Sequence, residues 1–295
     1  MATIGSAGKL LNRIAPDLAA RAAPDRARAC ACRPYNPAMP LSADRCICLR
    51  KVEYSETSQI LTLFGRSHGL MRVIAKGAHR TTKAGASKFG GGIDLLDIGQ
   101  AVFTLDHEKQ LGTLTEWTLL EGHLEMRRSL RAMYLAQYAA ELVGLLIEEH
   151  DPHPELFDRL EQTLTELPTP RVEESFLAFQ LDLLRETGYL AELGACVSCS
   201  GLLADREPAF FSANRGGVVC RNCEGVIPDR MPIDARLLRM VQTILRLPRT
   251  DGAAQRLPRL TRHQTDPINR LFAQHVEHTL QRRLRLPQFI LNNGK

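Results

Sequence analysis

The sequence lacks any apolar run long enough to cross a membrane or to serve as an export signal. A membrane-spanning helix needs about 20 consecutive apolar residues, and a secretory signal needs a shorter apolar stretch at the N-terminus. Neither occurs in the 295 residues, although 44% of them are hydrophobic. The chain is therefore predicted to be a cytoplasmic globular protein with no membrane partner, long enough for roughly two or three domains.

Motifs of catalytic sites are missing as well. There is no Gly-x4-Gly-Lys-[Ser/Thr] segment, and Gly90–Gly92 lacks the lysine and the strand-to-helix setting of a nucleotide-binding loop. There is no His-Glu-x-x-His segment, and no Cys-x-x-Cys pair follows a proline as in zinc deaminases. Asp94, Asp97 and Asp106 flank a predicted strand, where turns account for them. The sequence predicts a protein that is not an enzyme and has no small-molecule substrate.

Four of the eight cysteines form two Cys-x-x-Cys pairs. A chain without an export signal stays reduced, so the pairs predict metal ligands rather than disulfides. Twenty residues separate the pairs, which is typical of the tetrahedral four-thiolate zinc site of a zinc ribbon. The predicted ligands are Cys196, Cys199, Cys220 and Cys223. Because four thiolates leave no open coordination position, the single zinc ion is predicted to be structural.

The residues around the two pairs support this prediction. Gly201 and Gly225 follow the pairs at equivalent positions, and we expect both to take a positive φ that turns backbone N–H groups toward the sulfurs. Residues 210–219, between the pairs, predict a β-hairpin. Arg215 and Arg221 could compensate part of the negative charge of the thiolates.

The order of short strands followed by helices predicts an α+β multidomain protein. Residues 1–40 are predicted to be a disordered leader or the product of a misplaced start, with Met39 as the alternative start. Cys46 and Cys48 alternate in an apolar segment and are expected to be small core residues. Five strands separated by glycines predict an OB-fold β-barrel over residues 41–120, with strands at 46–52, 58–64, 70–75, 93–105 and 112–119.

A helical period follows the predicted barrel. Helices are expected within 124–150, from Phe157 to Leu167, and from Phe176 to near Gly188, giving a helical domain over residues 121–192. The zinc-binding element is expected over residues 193–228. C-terminal helices at 233–247 and 267–285 are expected to complete the helical domain over residues 229–295.

Positive charge is concentrated in two stretches. No acidic residue lies between Glu56 and Asp94, and Lys and Arg there suit phosphate backbones because they displace counterions. The candidate DNA-binding residues are Arg50, Arg66, Arg72, Lys76, Arg80, Lys83 and Lys88. The second stretch, residues 230–285, has twelve arginines and four acidic residues and gives secondary support. Three of its arginines are predicted to share one helix face: Arg236, Arg239 and Arg246. Three others form a cluster near the C-terminus: Arg282, Arg283 and Arg285.

Aromatic residues make up only 5% of the chain. Single-strand-binding proteins commonly stack bases on aromatic side chains. Here Phe64, Phe89, Phe103 and Trp117 lie in the predicted barrel and are expected to be core residues rather than stacking platforms. Sequence-specific reading of bases is therefore not indicated.

Two adjacent segments of the predicted barrel resemble the N-terminal signature of the bacterial recombination mediator family RecO. The resemblance is carried by Leu49-Arg50-x3-Tyr54-x-Glu56-x-Ser58-x-Ile60-x-Thr62-Leu63-Phe64 and by His68-Gly69-Leu70-x2-Val73-x-Ala75-Lys76-Gly77-Ala78. It extends over about residues 42–285, through Arg185-Glu186-x-Gly188-Tyr189 and the cysteine pairs.

The resemblance implies an N-terminal OB barrel, a helical domain and an embedded zinc-binding element. It further implies binding of single- and double-stranded DNA, annealing of complementary strands, and contact with the C-terminal tail of single-strand binding protein. RecR, and in some cases RecF, would be partners in loading RecA at the bacterial nucleoid. Two alternatives remain: a nucleic-acid-processing enzyme with an accessory zinc ribbon, and a protein-binding zinc-ribbon adaptor.

Overall fold

The N-terminal part of the chain is a closed, OB-like β-barrel of five strands. The structure, a computed structural model, describes residues 40–79, 89, 92–105, 111–203, 208–246 and 257–291. The strands are β1 (Ser42–Ser55), β2 (Ser58–Gly65), β3 (Gly69–Ala75), β4 (Ile98–Thr104) and β5 (Gly112–Glu121). They close in the order β1-β2-β3-β5-β4, with β3 and β5 parallel and the other neighbours antiparallel. The predicted barrel is confirmed, whereas the predicted leader lies outside the described residues.

Two predicted strands begin at the wrong residue. β1 begins at Ser42 rather than at 46, because its first residues pair with β4. β4 begins at Ile98 rather than at 93, because the preceding residues form a turn in which the Asp94 N–H donates to the Asp97 carboxylate at 2.8 Å. Leu96 has a φ of 68° in this turn, which a continuing strand does not allow.

Both faces of β1 are buried in its central part. Cys46 and Cys48 belong to the barrel core, whereas Ile47 and Leu49 belong to the core of the helical part. Successive side chains of a strand point to opposite faces, so one strand contributes to both cores. The predicted core role of the two cysteines is confirmed, and burial raises the pKa of both thiols, that of Cys48 to about 12.

Four of the five aromatic residues in the barrel segment are buried, whereas Tyr54 of β1 is exposed. Phe89, Phe103 and Trp117 lie in the barrel core. Phe64 points outward, and its ring centroid lies 5.7 Å from that of Phe157 in the helical part. The prediction that these side chains are core residues is confirmed.

The helical part follows the barrel. Its helices within the described residues are α1 (Leu130–Leu146), α2 (Pro154–Glu166), α3 (Val172–Glu186), α4 (Ala235–Arg246), α5 (Arg262–Leu280) and α6 (Pro287–Ile290). The helix expected within 124–150 is broken at Ser129, which ends a short 3-10 helix (Leu124–Arg128) and accepts the Ala132 N–H at 3.3 Å as the cap of α1. None of the described helices is long and apolar enough to cross a membrane.

The predicted bounds of α5 are wrong at both ends. α5 begins at Arg262 rather than at 267, because Thr261 caps it and donates its N–H to the Gln264 carboxamide oxygen at 2.8 Å. Pro267 therefore lies inside the helix rather than at its start. α5 ends before Gln281 rather than at 285, because Gln281 takes the left-handed conformation with a φ of 51°.

The cysteine-rich segment adds a three-stranded sheet. It consists of β6 (Ala209–Ser212), β7 (Gly217–Cys220) and β8 (Met231–Ile233), in the order β7-β6-β8. The predicted hairpin is confirmed, whereas β8 was not predicted. Phe211 and Val218 join the core of the helical part, and Val219 packs beside Cys196 on the other face. The sheet therefore joins the cysteine cluster to the helices.

The turn between β2 and β3 docks the barrel on the helical part. The Asp44 carboxylate accepts the main-chain N–H groups of Ser67 and His68 at 2.8 and 3.0 Å and so fixes this turn. The next residue, Gly69, has a φ of +67°, and a Cβ there would lie 2.2 Å from the carbonyl oxygen of Asp151. Glycine is therefore favoured at this position both by its backbone conformation and by the closeness of the second chain segment.

Candidate functional site

The four cysteines of the two pairs converge on one point. Their Sγ atoms all lie within 4.8 Å of one another, and those of Cys199 and Cys220 are 3.8 Å apart. Four sulfurs around a tetrahedral ion, at metal–sulfur distances of about 2.3 Å, lie about 3.8 Å from one another. Thiolates are ligands for soft and borderline metal ions, and four of them fill the coordination shell. The cluster therefore fits a metal ion in a closed site.

The backbone of the first pair is folded tightly. The Cys196 N–H donates to the Gly201 carbonyl at 2.9 Å, and the Ser200 N–H donates to the Cys196 carbonyl at 2.8 Å. The expected positive φ at Gly201 is wrong, because Ser200 takes it, at 58°. Gly201 leaves room for a sulfur instead, since a Cβ there would lie 3.3 Å from the Cys199 Sγ.

The second pair uses a different turn. The Cys223 N–H donates to the Cys220 carbonyl at 3.1 Å, and a short 3-10 helix (Glu224–Val226) follows. Gly225 lies inside this helix, so its expected positive φ is also wrong. The two pairs are similar in sequence but are not equivalent in backbone conformation.

Hydrogen bonds to sulfur favour the thiolate form in the first pair. The Cys220 N–H donates to the Cys196 Sγ at 3.4 Å. Burial alone raises the pKa of the Cys196 thiol, but this bond and those from other main-chain N–H groups lower it to about 6. The pKa of the Cys223 thiol is raised to about 12, chiefly by its hydrogen bond with Cys220. Arg215 and Arg221, which were expected to compensate the charge, are exposed.

A cleft of about 630 Å³ lies between the barrel, α1 and the segment after α5. Cations from two distant parts of the sequence line it. They are Arg50, Lys51 and Arg72 from the barrel, and Arg282, Arg283 and Arg285 from the C-terminal segment. The two basic stretches therefore meet at one cleft.

On the barrel wall of the cleft, three polar side chains form a row across three neighbouring strands. Arg50 pairs with Thr62 between β1 and β2, and Thr62 pairs with Arg72 between β2 and β3. Neighbouring strands lie about 4.8 Å apart, so the row is about 10 Å long. A shift of register between Cys48 and Arg50 inserts Leu49 as an extra residue. Both arginines are exposed, and neither guanidinium has an ion pair with any residue that the structure describes.

The C-terminal wall of the cleft is held in place by α1. This wall consists of Arg282, Arg283, Arg285 and Leu286. The Glu141 carboxylate accepts the main-chain N–H groups of Arg285 and Leu286 at 2.8 and 3.0 Å. Further along, the Arg131 guanidinium donates to the Ile290 carbonyl at 2.8 Å. No local sequence pattern marks Glu141, because its hydrogen bond with Arg285 joins residues 144 positions apart.

The other candidate DNA-binding residues lie elsewhere. Arg66 donates two hydrogen bonds to Asp158 of α2, at 2.7 and 2.8 Å, and holds the pKa of that carboxyl below its ordinary value. Lys76 is exposed just beyond β3 and is not part of the cleft lining. The last three candidates lie outside the described residues and stay predictions; they are Arg80, Lys83 and Lys88.

The arginines of α4 lie opposite its buried face. Arg236 and Arg246 are exposed and Arg239 is half-buried, whereas Leu238 and Val241 are buried. This agrees with the predicted arginine face, which is separate from the cleft lining.

Of the two carboxylates before β4, Asp94 is engaged in ion pairs and Asp97 accepts the main-chain N–H of Asp94. Asp94 pairs with Lys51 at 2.9 Å and with Arg127 at 3.1 Å. Burial raises the pKa of Asp94, but the hydrogen bond from Lys51 and a main-chain N–H hold it below its ordinary value. Asp106 lies outside the described residues. Within the part of the chain that the structure describes, the four cysteines are the one group of His, Cys, Asp and Glu residues close enough to hold a metal ion.

Comparison with known proteins covers both the barrel and the helical part of the chain. The family models "Recombination protein O N terminal" and "Recombination protein O C terminal" match residues 39–123 and 127–287. The DNA repair protein RecO of Anaeromyxobacter dehalogenans (strain 2CP-C) is 30% identical over 83% of this chain and 93% of its own length. The DNA repair proteins RecO of Pelotomaculum thermopropionicum and Myxococcus xanthus are 29% and 28% identical, over 84% and 85% of this chain and 93% and 97% of their own lengths. The chain therefore belongs to the RecO family of DNA repair proteins.

Proposed function

We propose that this chain is a mediator of DNA repair and homologous recombination that binds single- and double-stranded DNA and anneals complementary strands. The observation that carries the proposal is the row Arg50, Thr62 and Arg72 facing three further arginines across one cleft. Guanidinium groups displace the counterions of phosphates, and a threonine hydroxyl can donate a hydrogen bond to a phosphate oxygen. The proposed DNA-binding residues are Arg50, Arg66, Arg72, Lys76, Arg80, Lys83 and Lys88.

Annealing by such a surface needs no catalytic group. Two strands repel each other through their phosphates, and bound cations reduce that repulsion where the strands meet. Base pairing is then favourable, so neither nucleotide hydrolysis nor a covalent intermediate is required. We therefore propose that the protein is not an enzyme and that it acts in the cytoplasm at the nucleoid.

The proposed partners are those that the resemblance to the family implies. We propose that the protein binds the C-terminal tail of single-strand binding protein and acts with RecR, and with RecF where it is present, to load RecA onto coated DNA. An acidic tail would be attracted by cationic residues beside an apolar pocket, and the helical part is the expected place for it.

We further propose that the four cysteines hold one structural zinc ion. When bound, zinc ties the two Cys-x-x-Cys turns together and contributes to the folding free energy of this segment. Val219 packs on the cysteine cluster and Phe211 packs on the helices, so the sheet transmits that stability to the helical part. The proposed division is a barrel over 41–120, a helical domain over 121–192 completed by 229–295, and a zinc element over 193–228.

The central experiment is annealing of complementary oligonucleotides coated with single-strand binding protein, with and without this protein and without ATP. Pairing is followed by energy transfer between labels on the two strands. Faster pairing without ATP is expected. ATP-dependent turnover or strand cleavage would favour the alternative of a processing enzyme with an accessory zinc ribbon. A lack of DNA affinity at moderate salt would favour the protein-binding adaptor.

Removal of charge tests the proposed residues. A variant with Arg66, Arg72, Lys76 and Arg80 changed to Gln is expected to bind all DNA sequences more weakly. The slope of log affinity against log salt should fall by about 3 on single strands if all four contact phosphates. Unchanged affinity and slope in a variant that folds would contradict the assignment.

A further inference from the structure

One carboxylate supports the C-terminal wall of the cleft. Glu141 lines the cleft and accepts the main-chain N–H groups of Arg285 and Leu286. These bonds hold the short segment that also carries Arg282 and Arg283. By its charge alone, an acid in this cleft would weaken the binding of an anion. Its hydrogen bonds suggest that its main effect is to place the arginines.

The size of the cleft indicates the form of DNA that it can take. Its volume of about 630 Å³ is in the range of sites for small ligands. A duplex is much bulkier, since its major groove alone is about 12 Å wide and 8.5 Å deep. A short length of one unpaired strand is the nucleic acid that fits this space.

The lining indicates which part of the strand is held. Apolar residues form much of the lining and include Leu49, Leu70, Ala140 and Leu145. None of the described lining residues is aromatic, so the cleft offers bases no stacking platform. Attraction must then come from the cations of the two walls, which match closely spaced phosphates.

We propose that the cleft holds the sugar-phosphate backbone of one unpaired strand between its two arginine walls, and that Glu141 is the positioning residue of the C-terminal wall. This inference rests on the proposed function and names the DNA form and the contacts of that site. Because the bases are not stacked on the protein, they stay free to pair with a second strand. The cleft thus presents a strand rather than sequestering it.

A change of one charge separates positioning from simple electrostatics. Glu149 also lines the cleft, and no hydrogen bond of its side chain is found within the described residues. Glu149→Ala removes only a negative charge and is expected to tighten binding about twofold. Glu141→Ala removes the same charge but releases the C-terminal wall, so it is expected to weaken binding about threefold to tenfold.

The probe is a labelled oligothymidylate, with binding followed by fluorescence anisotropy at several salt concentrations. Thermal unfolding checks that each variant is folded. Glu141→Gln keeps the shape and one acceptor oxygen, and an intermediate loss is expected. This variant keeps the test available if Glu141→Ala does not fold.

Arginine variants test whether the loss acts through the C-terminal wall. The cleft variant changes Arg282, Arg283 and Arg285 to Ser, and the matched control changes Arg236, Arg239 and Arg246 of α4 to Ser. The cleft variant should bind about tenfold more weakly with a salt slope lower by about 2, and the control should lose less. Adding Glu141→Ala to the cleft variant should cause no further loss, because the arginines that Glu141 positions are already gone.

Each result has a distinct meaning. Tighter binding by Glu141→Ala, or a fully additive loss in the combined variant, would overturn the inference. Normal binding by the cleft variant would overturn it while leaving the proposed function intact. A wild-type protein with no affinity for oligothymidylate would overturn both. As a further measurement, the cleft variant is tested for binding to an acidic peptide made of Asp and Leu. If this variant no longer binds the peptide but still binds the oligothymidylate, the cleft is a peptide-binding site and the inference is wrong.

Discussion

Replacing Gly69 with alanine tests how closely the barrel is docked on the helical part. Gly69 has a φ of +67°, and its missing side chain faces the backbone of Asp151. An ideal Cβ there would lie 2.2 Å from the carbonyl oxygen and 2.5 Å from the carbonyl carbon of Asp151. Both atoms belong to the backbone, so a rotamer change cannot relieve the clash. The turn or the segment at Asp151 has to move.

A second glycine separates the two causes of destabilisation. Gly188 has a φ of +76°, and a Cβ there would meet no atom within 4 Å. Gly188→Ala therefore measures the backbone strain alone, about 1–2 kcal/mol. Gly69→Ala adds the cost of overpacking, about 1–3 kcal/mol. Both changes reduce the entropy of the unfolded chain similarly, so this effect cancels when the two variants are compared.

The assay is urea unfolding of the wild type and both variants with zinc present. We expect Gly69→Ala to lower the free energy of unfolding by about 1–3 kcal/mol more than Gly188→Ala. Equal losses in the two variants would refute the reasoning, because they would mean that the contact with Asp151 costs nothing to disturb.

Three further predictions concern the cysteines and one histidine. Cys196→Ser or Cys220→Ser should lower the zinc content and the stability first and DNA binding only in consequence; a variant with full zinc and stability would contradict this. Cys46 and Cys48 should react with a maleimide only on unfolding, as peptide mapping would show, because burial raises their thiol pKa values. Burial holds the pKa of His275 below its ordinary value, so the unfolded chain binds its proton more readily. Stability should be greatest above about pH 6.5 and fall as pH drops through the folded pKa. Urea unfolding across this range checks this, and His275→Gln should flatten the dependence.

The cysteine cluster was predictable because its information is local. Two residues between thiolates limit each pair to a tight turn, and the hairpin between the pairs brings them together. The details of the turns were not predictable in the same way. Ser200 rather than Gly201 has the positive φ, whereas Gly201 leaves space beside the Cys199 Sγ.

The strands and helices were predictable where periodicity extends over several residues. The errors lie where one side chain decides the boundary, as at Ser129 and Thr261, whose caps start α1 and α5. The cleft was not predictable at all. It depends on the extra residue Leu49 in β1 and on hydrogen bonds between Glu141 and a segment far along the chain, and neither leaves a repeating pattern in the sequence.

Charge in the sequence is therefore a weak guide to which cations are available to a ligand. Arg66 and Arg72 lie in the same acid-free stretch, yet Arg66 makes a two-bond ion pair with Asp158, whereas Arg72 faces the cleft. A phosphate that bound Arg66 would have to share its guanidinium with a carboxylate or displace that carboxylate. A phosphate in the cleft meets no such competitor at Arg50 or Arg72 among the described residues. Arg66 would therefore contact DNA against the competition of Asp158, whereas the cleft arginines are available for direct contact.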